Sequence, residues 1–329
     1  MMGRQSSLPV MTPSDKAQSV GQQGLFDLEL LARRRDRAML SGDWAGGGDF
    51  LMREVAERIA ERLSEVQRTF PSAILAGTGG GAMAAALPEG LATGEAVAMT
   101  DPSRAMLAAA SAALPGAEAL AWDGETLPFA RGEAALALSA GLMHWMNDPV
   151  GHLVQLRLAL APDGLMIAAA AGGETLATLR QVLAEAEALE TGGLSPRVSP
   201  MGELRQMGAL LQRAGFAMPV ADSDVFEASY ADAWALMHDL RAMGEGNALA
   251  DRLRVPTRRR VLERATELYA ARAGTPDGRV TARFEIVFLT GWAPADDQPQ
   301  PLRPGSAKAR LADALGVEER SAGEKVDKT

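Results

Sequence analysis

Two rhythms of apolar positions alternate along most of the chain. Residues 25–39 and 50–66 carry apolar side chains at helical spacing; in the second stretch Leu51, Val55, Ile59 and Leu63 recur at every fourth position and line one face. Pro71 closes that region. Short apolar runs follow at 73–76, 96–99, 117–121, 134–139 and 165–171, each separated from the next by a helical pattern. Strands that alternate with helices predict βαβ units and a parallel sheet. Beyond the fifth strand the spacing predicts helices over 174–190 and 201–214, the second stopped by Gly215, with the turn-rich TGGLSPRVSP between them. A sixth strand is expected within 216–230 and a seventh over 283–292 (RFEIVFLTGW), with helices near 231–243 and 258–272 between them. No internal repeat is visible.

The two ends break this pattern. Residues 1–23 are Ser, Gln, Gly and Pro without period and are expected to be a disordered tail; residues 296–329, which begin with Pro299, Pro301 and Pro304, are expected to be a flexible one. Between them lies one domain over 24–295: N-terminal helices at 24–70, a cofactor-binding half at 71–172 and a C-terminal half with a helical insertion at 173–295.

Composition narrows the chemistry. A net charge of −9 argues against nucleic acid as the main partner, because neutralising phosphates requires a basic face. With no Cys there is no disulfide, thiolate metal site or Cys nucleophile, and three His leave little for a histidine-rich metal site, so none is expected. No apolar run reaches the roughly 20 residues of a membrane-spanning helix. The expected compartment is the cytoplasm, or the mitochondrial matrix where the N-terminal tail serves as a transit peptide.

The candidate site residues lie where the predicted strands end. In AILAGTGGGAM, Gly77, Gly79 and Gly81 let the backbone turn sharply after the first strand, and the next helix offers its amides to a ligand; the bland alternative is a tight strand-to-helix turn. At the end of the second strand, Asp101 is placed either to accept from ribose hydroxyls or, with Ser103, to cap the next helix. After the third strand, Asp123 and Gly124 of WDGETLPF are placed to face a purine amino group, or to form a turn. The fourth strand runs into SAGLMHWMNDP, which sets His144 and Trp145 at the carboxyl edge of the sheet, as catalyst or as packed residues. His152 and His238 fall within predicted helices and read as structural. The runs Arg33-Arg34-Arg35 and Arg258-Arg259-Arg260 read as solvated faces.

Taken together, the glycine loop, the acidic end of strand two, WDGETLPF and Ala161-Pro162-Asp163-Gly164 resemble the successive motifs of class I S-adenosylmethionine methyltransferases. LFDLELLARRR, MHWMNDP, GGETLATLR, TGGLSPRVSP, LLQRAGF, HDLRAMGEGNA and FLTGW are similar to the relatives of mitochondrial complex I assembly factor five, and less closely to the malonyl-carrier-protein methyltransferase of biotin synthesis. The resemblance implies an α/β, Rossmann-like fold with seven mostly parallel strands, the last antiparallel, and a helical insertion before it. It implies S-adenosylmethionine as cofactor, held by Gly77, Gly79, Gly81, Asp101, Asp123 and Gly124. His144 would be a base or acceptor-orienting group and Trp145 an apolar wall. The implied partner is a protein or small acceptor or an assembly partner, and in some members the chemistry is linked to hydroxylation of an arginine in a complex I subunit. The family's first acid falls on Leu75 and is lost; a hydrogen bond to a charged group contributes about 1.5–3 kcal/mol, so its absence is expected to weaken cofactor binding roughly ten- to a hundredfold. Three readings follow: a methyltransferase-like enzyme, an assembly chaperone or interaction module with a degenerate pocket, and an arginine hydroxylase.

Overall fold

The structure, a computed structural model, describes residues 24–122, 124–296 and 298. The expected tail at 1–23, nearly all of that at 296–329, and Asp123 lie outside the described residues. Contacts divide the chain into Met1–Pro294 and Ala295–Thr329; of the second unit only Ala295, Asp296 and Gln298 are described.

Strands β1 (Ala73–Ala76), β2 (Val97–Thr100), β3 (Glu118–Ala119), β4 (Ala134–Ala140), β5 (Leu160–Ala171), β6 (Ala217–Tyr230) and β7 (Val280–Trp292) form one sheet in the order β3-β2-β1-β4-β5-β7-β6. The first five pair in parallel, and β7 runs antiparallel to both β5 and β6. Parallel strands are covered on both faces, and the two-residue period of a strand divides its side chains between two cores. Ile74 and Ala76 face the cluster that holds Leu31, Leu153, Leu156 and Met207, whereas Ala73 and Leu75 face Val55, Ile59, Met83 and Leu138.

The helices are α1 (Leu28–Ser41), α2 (Phe50–Ser64), α3 (Arg104–Ala113), α4 (Pro149–Ala159), α5 (Ala177–Thr191), α6 (Leu204–Arg213), α7 (Ala233–Ala242) and α8 (Arg259–Ala273). Their starts follow local chemistry. Asp27 accepts from the Leu30 amide at the start of α1, Ser103 from Met106 in α3, and Asp148 from Gly151 in α4, where Pro149 takes the first turn. Helices α5, α7 and α8 build a third core on the far end of β7 around Leu236, Tyr269 and Phe284.

Two elements differ from expectation. The segment after β1 is not an α-helix but a 3-10 stretch, Gly79–Ala86, because Gly80 and Gly81 sit at φ of 60° and 104°, outside helical space. The third strand shrinks to two exposed residues at the edge of the sheet. The expectation that His152 is structural is met: it is 3% exposed on α4, within 3.0 Å of Ser139 Oγ on β4.

Burial holds the His152 imidazole at a pKa of about 4, below its ordinary 6.5. The unfolded chain therefore gains a proton near pH 6.5 that the folded chain refuses until about pH 4. Stability is fully present above the first value and declines as the pH falls toward the second, with a slope of at most about 1.4 kcal/mol per pH unit from this group. Urea midpoints measured across that window should fall with pH in the native chain, and the fall should be shallower in His152→Gln; equal slopes would remove His152 as the cause.

Candidate functional site

The carboxyl ends of β1, β2 and β4 form the crevice where open α/β sheets hold ligands. Gly77 leaves β1 at φ 84°, and a Cβ there would stand 2.1 Å from the Ala140 carbonyl oxygen, so only glycine lets β1 and β4 part this closely. The rest of the loop is packed against protein. A Cβ on Gly79 would meet Met52 at 2.8 Å, one on Gly80 would meet Trp44 at 2.9 Å, and one on Gly81 would meet Ala113 at 2.9 Å. Asp101, 4% exposed, directs its carboxylate into the same loop: Oδ2 accepts from the Thr78 amide (2.8 Å) and hydroxyl (3.0 Å), and Oδ1 from the Ser103 amide (2.9 Å). Burial raises its pKa, opposed by Arg35 and by those hydrogen bonds. The cap of α3 is Ser103.

Helix α1 lies along this crevice. Leu28 is 3.6 Å from where a Cβ on Gly124 would stand. Asp36 accepts from the Ser103 hydroxyl (2.6 Å) and the Ala105 amide (3.0 Å). Arg35 donates to the Gly141 carbonyl after β4 (2.7 Å) and to Glu245 (2.5 Å). Met39 lies 3.2 Å from the position of a Gly80 Cβ. Around the loop, Gly79, Gly80 and Gly81 pack on one side against Met52, Trp44 and Ala113, and Asp101 already accepts from Thr78 and Ser103, so a ribose here would share that acid with the loop. Leu75 is 2% exposed in an apolar core, with Met99 and Leu138 beside it on β2 and β4.

Arg35 corrects one reading of the sequence. It is not part of a solvated face but is 6% exposed. Burial works against its charge, yet Glu245 and Asp101 outweigh that penalty and hold its pKa above the ordinary guanidinium value. Glu245 in turn accepts from Trp145 Nε1 (2.6 Å) and contacts His144 Nε2 (3.4 Å). Burial alone would raise its pKa; Arg35, His144 and Trp145 together bring it down to about 2. The Ala171 amide points at His144 Nδ1 (3.4 Å), so the imidazole with its proton on Nε2 satisfies both neighbours. Sequence reasoning missed Glu245. The legible signal was Gly244-Glu245-Gly246, because a Cβ on Gly244 would stand 2.9 Å from Arg35 Cα and one on Gly246 2.9 Å from Arg34 Nη1.

Beside this cluster opens a cavity of about 760 Å³, walled by α1, α2, the carboxyl end of β5, α5, and the α7 and α8 insertion before β7. His144 and Trp145 line it, as does His238, which was read as structural; Gly77, Gly79, Gly81, Asp101 and Gly124 do not. Thus the structure brings the two candidate catalytic residues together at an open site, while the described cofactor candidates lie outside its lining, at the ends of β1 and β2 and after β3.

The strand order and the reversed β7 define a class I methyltransferase fold, and the methyltransferase domain family matches residues 74–168. The arginine-hydroxylase NDUFAF5, mitochondrial, of Danio rerio is 36% identical over 294 residues, covering 89% of this chain and 90% of that protein. The Homo sapiens protein of that name is 35% identical over 259 residues, covering 79% and 74%. A malonyl-[acyl-carrier protein] O-methyltransferase of Xylella fastidiosa is 31% identical over 278 residues, covering 83% and 90%. The chain belongs to the NDUFAF5 family.

Because Leu75 is core, restoring the family's acid should not restore a cofactor site. Leu75→Asp buries a carboxylate among apolar neighbours and should destabilise the chain by roughly 3 kcal/mol or more in urea unfolding, with no gain in S-adenosylmethionine affinity by calorimetry. A variant of native stability that binds the cofactor more tightly would overturn this account of the position.

Proposed function

We propose that the chain is a methyltransferase-like enzyme that holds a protein or small acceptor in the cavity beside His144. The supporting observation is the cavity: about 760 Å³ is the size of a small-molecule site, and it opens at the carboxyl ends of β4 and β5 on two residues held by Glu245. In this reading His144 orients the acceptor, with Nε2–H directed to Glu245 and Nδ1 toward Ala171. Trp145, 3% exposed and tied through its indole N–H, is a fixed apolar wall. The compartment this implies is the cytoplasm, or the mitochondrial matrix where the first residues act as a transit peptide; among the described residues no helix is long and apolar enough to cross a membrane.

A second reading is favoured by Leu75, buried among apolar side chains where the family has its first acid: an assembly chaperone or interaction module that keeps the fold and has lost the cofactor. Calorimetry separates the two. Heat of binding with S-adenosylmethionine and S-adenosylhomocysteine supports the enzyme, and none with either at millimolar concentration supports the module. Partners captured with the full chain and analysed by mass spectrometry report the chemistry directly: a methyl increment that depends on the chain supports methylation, whereas a hydroxyl increment on arginine points to the activity in the relatives' name. On a substrate so identified, His144→Ala should lower turnover; unchanged turnover would remove its role.

A further inference from the structure

Five arginines line the cavity, against one carboxylate among its lining residues, Glu245. Arg197 is held by Glu187 (2.8 Å) and Arg252 by Asp27 (3.1 Å). Among the described residues Arg34, Arg37 and Arg241 have no ion pair, and Arg34 Nη1 is buried without a hydrogen-bond partner. Burial, then Arg252 and Arg37, lower the pKa of Arg34, so the positive charge here is concentrated enough to oppose itself. A buried unsatisfied donor is unfavourable, and an anion seated against it would satisfy it.

The remainder of the wall is of the opposite character. Leu179 and Leu183 of α5, Met237 of α7, Leu262 of α8, and Phe284 and Ile286 of β7 all face the same space. A cationic head would find no free counter-charge, since both oxygens of Glu245 are engaged by Arg35, Trp145 and His144. We propose that this cavity binds an amphiphilic anion, its apolar body among the insertion and β7 and its charged head against Arg34, Arg37, Arg241 and Arg252. This rests on the reading of the cavity as the acceptor site.

The test uses tryptophan fluorescence of the full chain, because Trp44, Trp145 and Trp234 line the cavity. The probes are decanoate, decan-1-ol and decyltrimethylammonium, each below its micellar concentration. Decanoate should saturate and bind roughly tenfold or more tightly than the cation. Arg34→Gln and Arg241→Gln should each weaken decanoate by roughly tenfold while leaving decan-1-ol within about twofold. Arg241 is exposed on α7, so that variant reports even if Arg34→Gln fails to fold. Equal affinity for decanoate and the cation, or native affinity for decanoate in Arg241→Gln, overturns the inference. No S-adenosylmethionine enters the assay, so decanoate binding by a chain that gives no heat with that cofactor sustains the anion site while removing the enzyme reading, and the converse result removes the anion site alone.

Discussion

The ion pair between Arg35 and Glu245 ties together three parts of the chain that are far apart in sequence. Taking both charges out of water costs several kcal/mol per ion, and their attraction offsets that only where the remaining hydrogen-bonding groups are satisfied. Here they largely are. Arg35 also donates to Gly141 at the end of β4, and Glu245 is closed on its other side by Trp145 and His144. One contact therefore seats α1 on the sheet edge, orients the residues after β4 and pins the loop that follows α7. The wall of the cavity and the cover of the crevice are two faces of the same arrangement.

Leu75, where the family has an acid, faces the other core, with Val55 and Met83. In the crevice Asp101 is stabilised by Arg35, by Thr78 of the loop and by Ser103 at the start of α3. Seating α1 is thus electrostatically consistent with the rest of the chain: its arginine supplies the charge that the crevice faces, and Leu28, Leu31 and Met39 fill its apolar volume.

What the sequence made legible follows from the range of the forces involved. Strands β1, β2 and β4 and most helices were readable within a few residues, because apolar period and capping residues are local properties. The 3-10 stretch after β1 was not, since composition alone does not say that all three consecutive glycines adopt positive φ. Arg35 could not be told from Arg33 or Arg34, because its burial is decided by a carboxylate 210 positions away. That His238 lines the cavity was not legible for the same reason: whether a helical residue meets a core or a cavity depends on neighbours from another part of the chain.

The helical insertion before β7 gives the fold its asymmetry. Strands β6 and β7 extend well past the end of β5, with Tyr230 paired to Val280 where no parallel strand follows. That overhang would expose Ala282 and Phe284, and α5, α7 and α8 cover it. Because the same helices also form one side of the cavity, their inner faces must be apolar toward β7, while the end of α7 and the loop after it meet α1 with arginines and Glu245. A cavity that is apolar along the insertion and cationic along α1 is therefore a direct outcome of covering an overhanging hairpin with helices whose last turn must also lock onto a charged N-terminal helix.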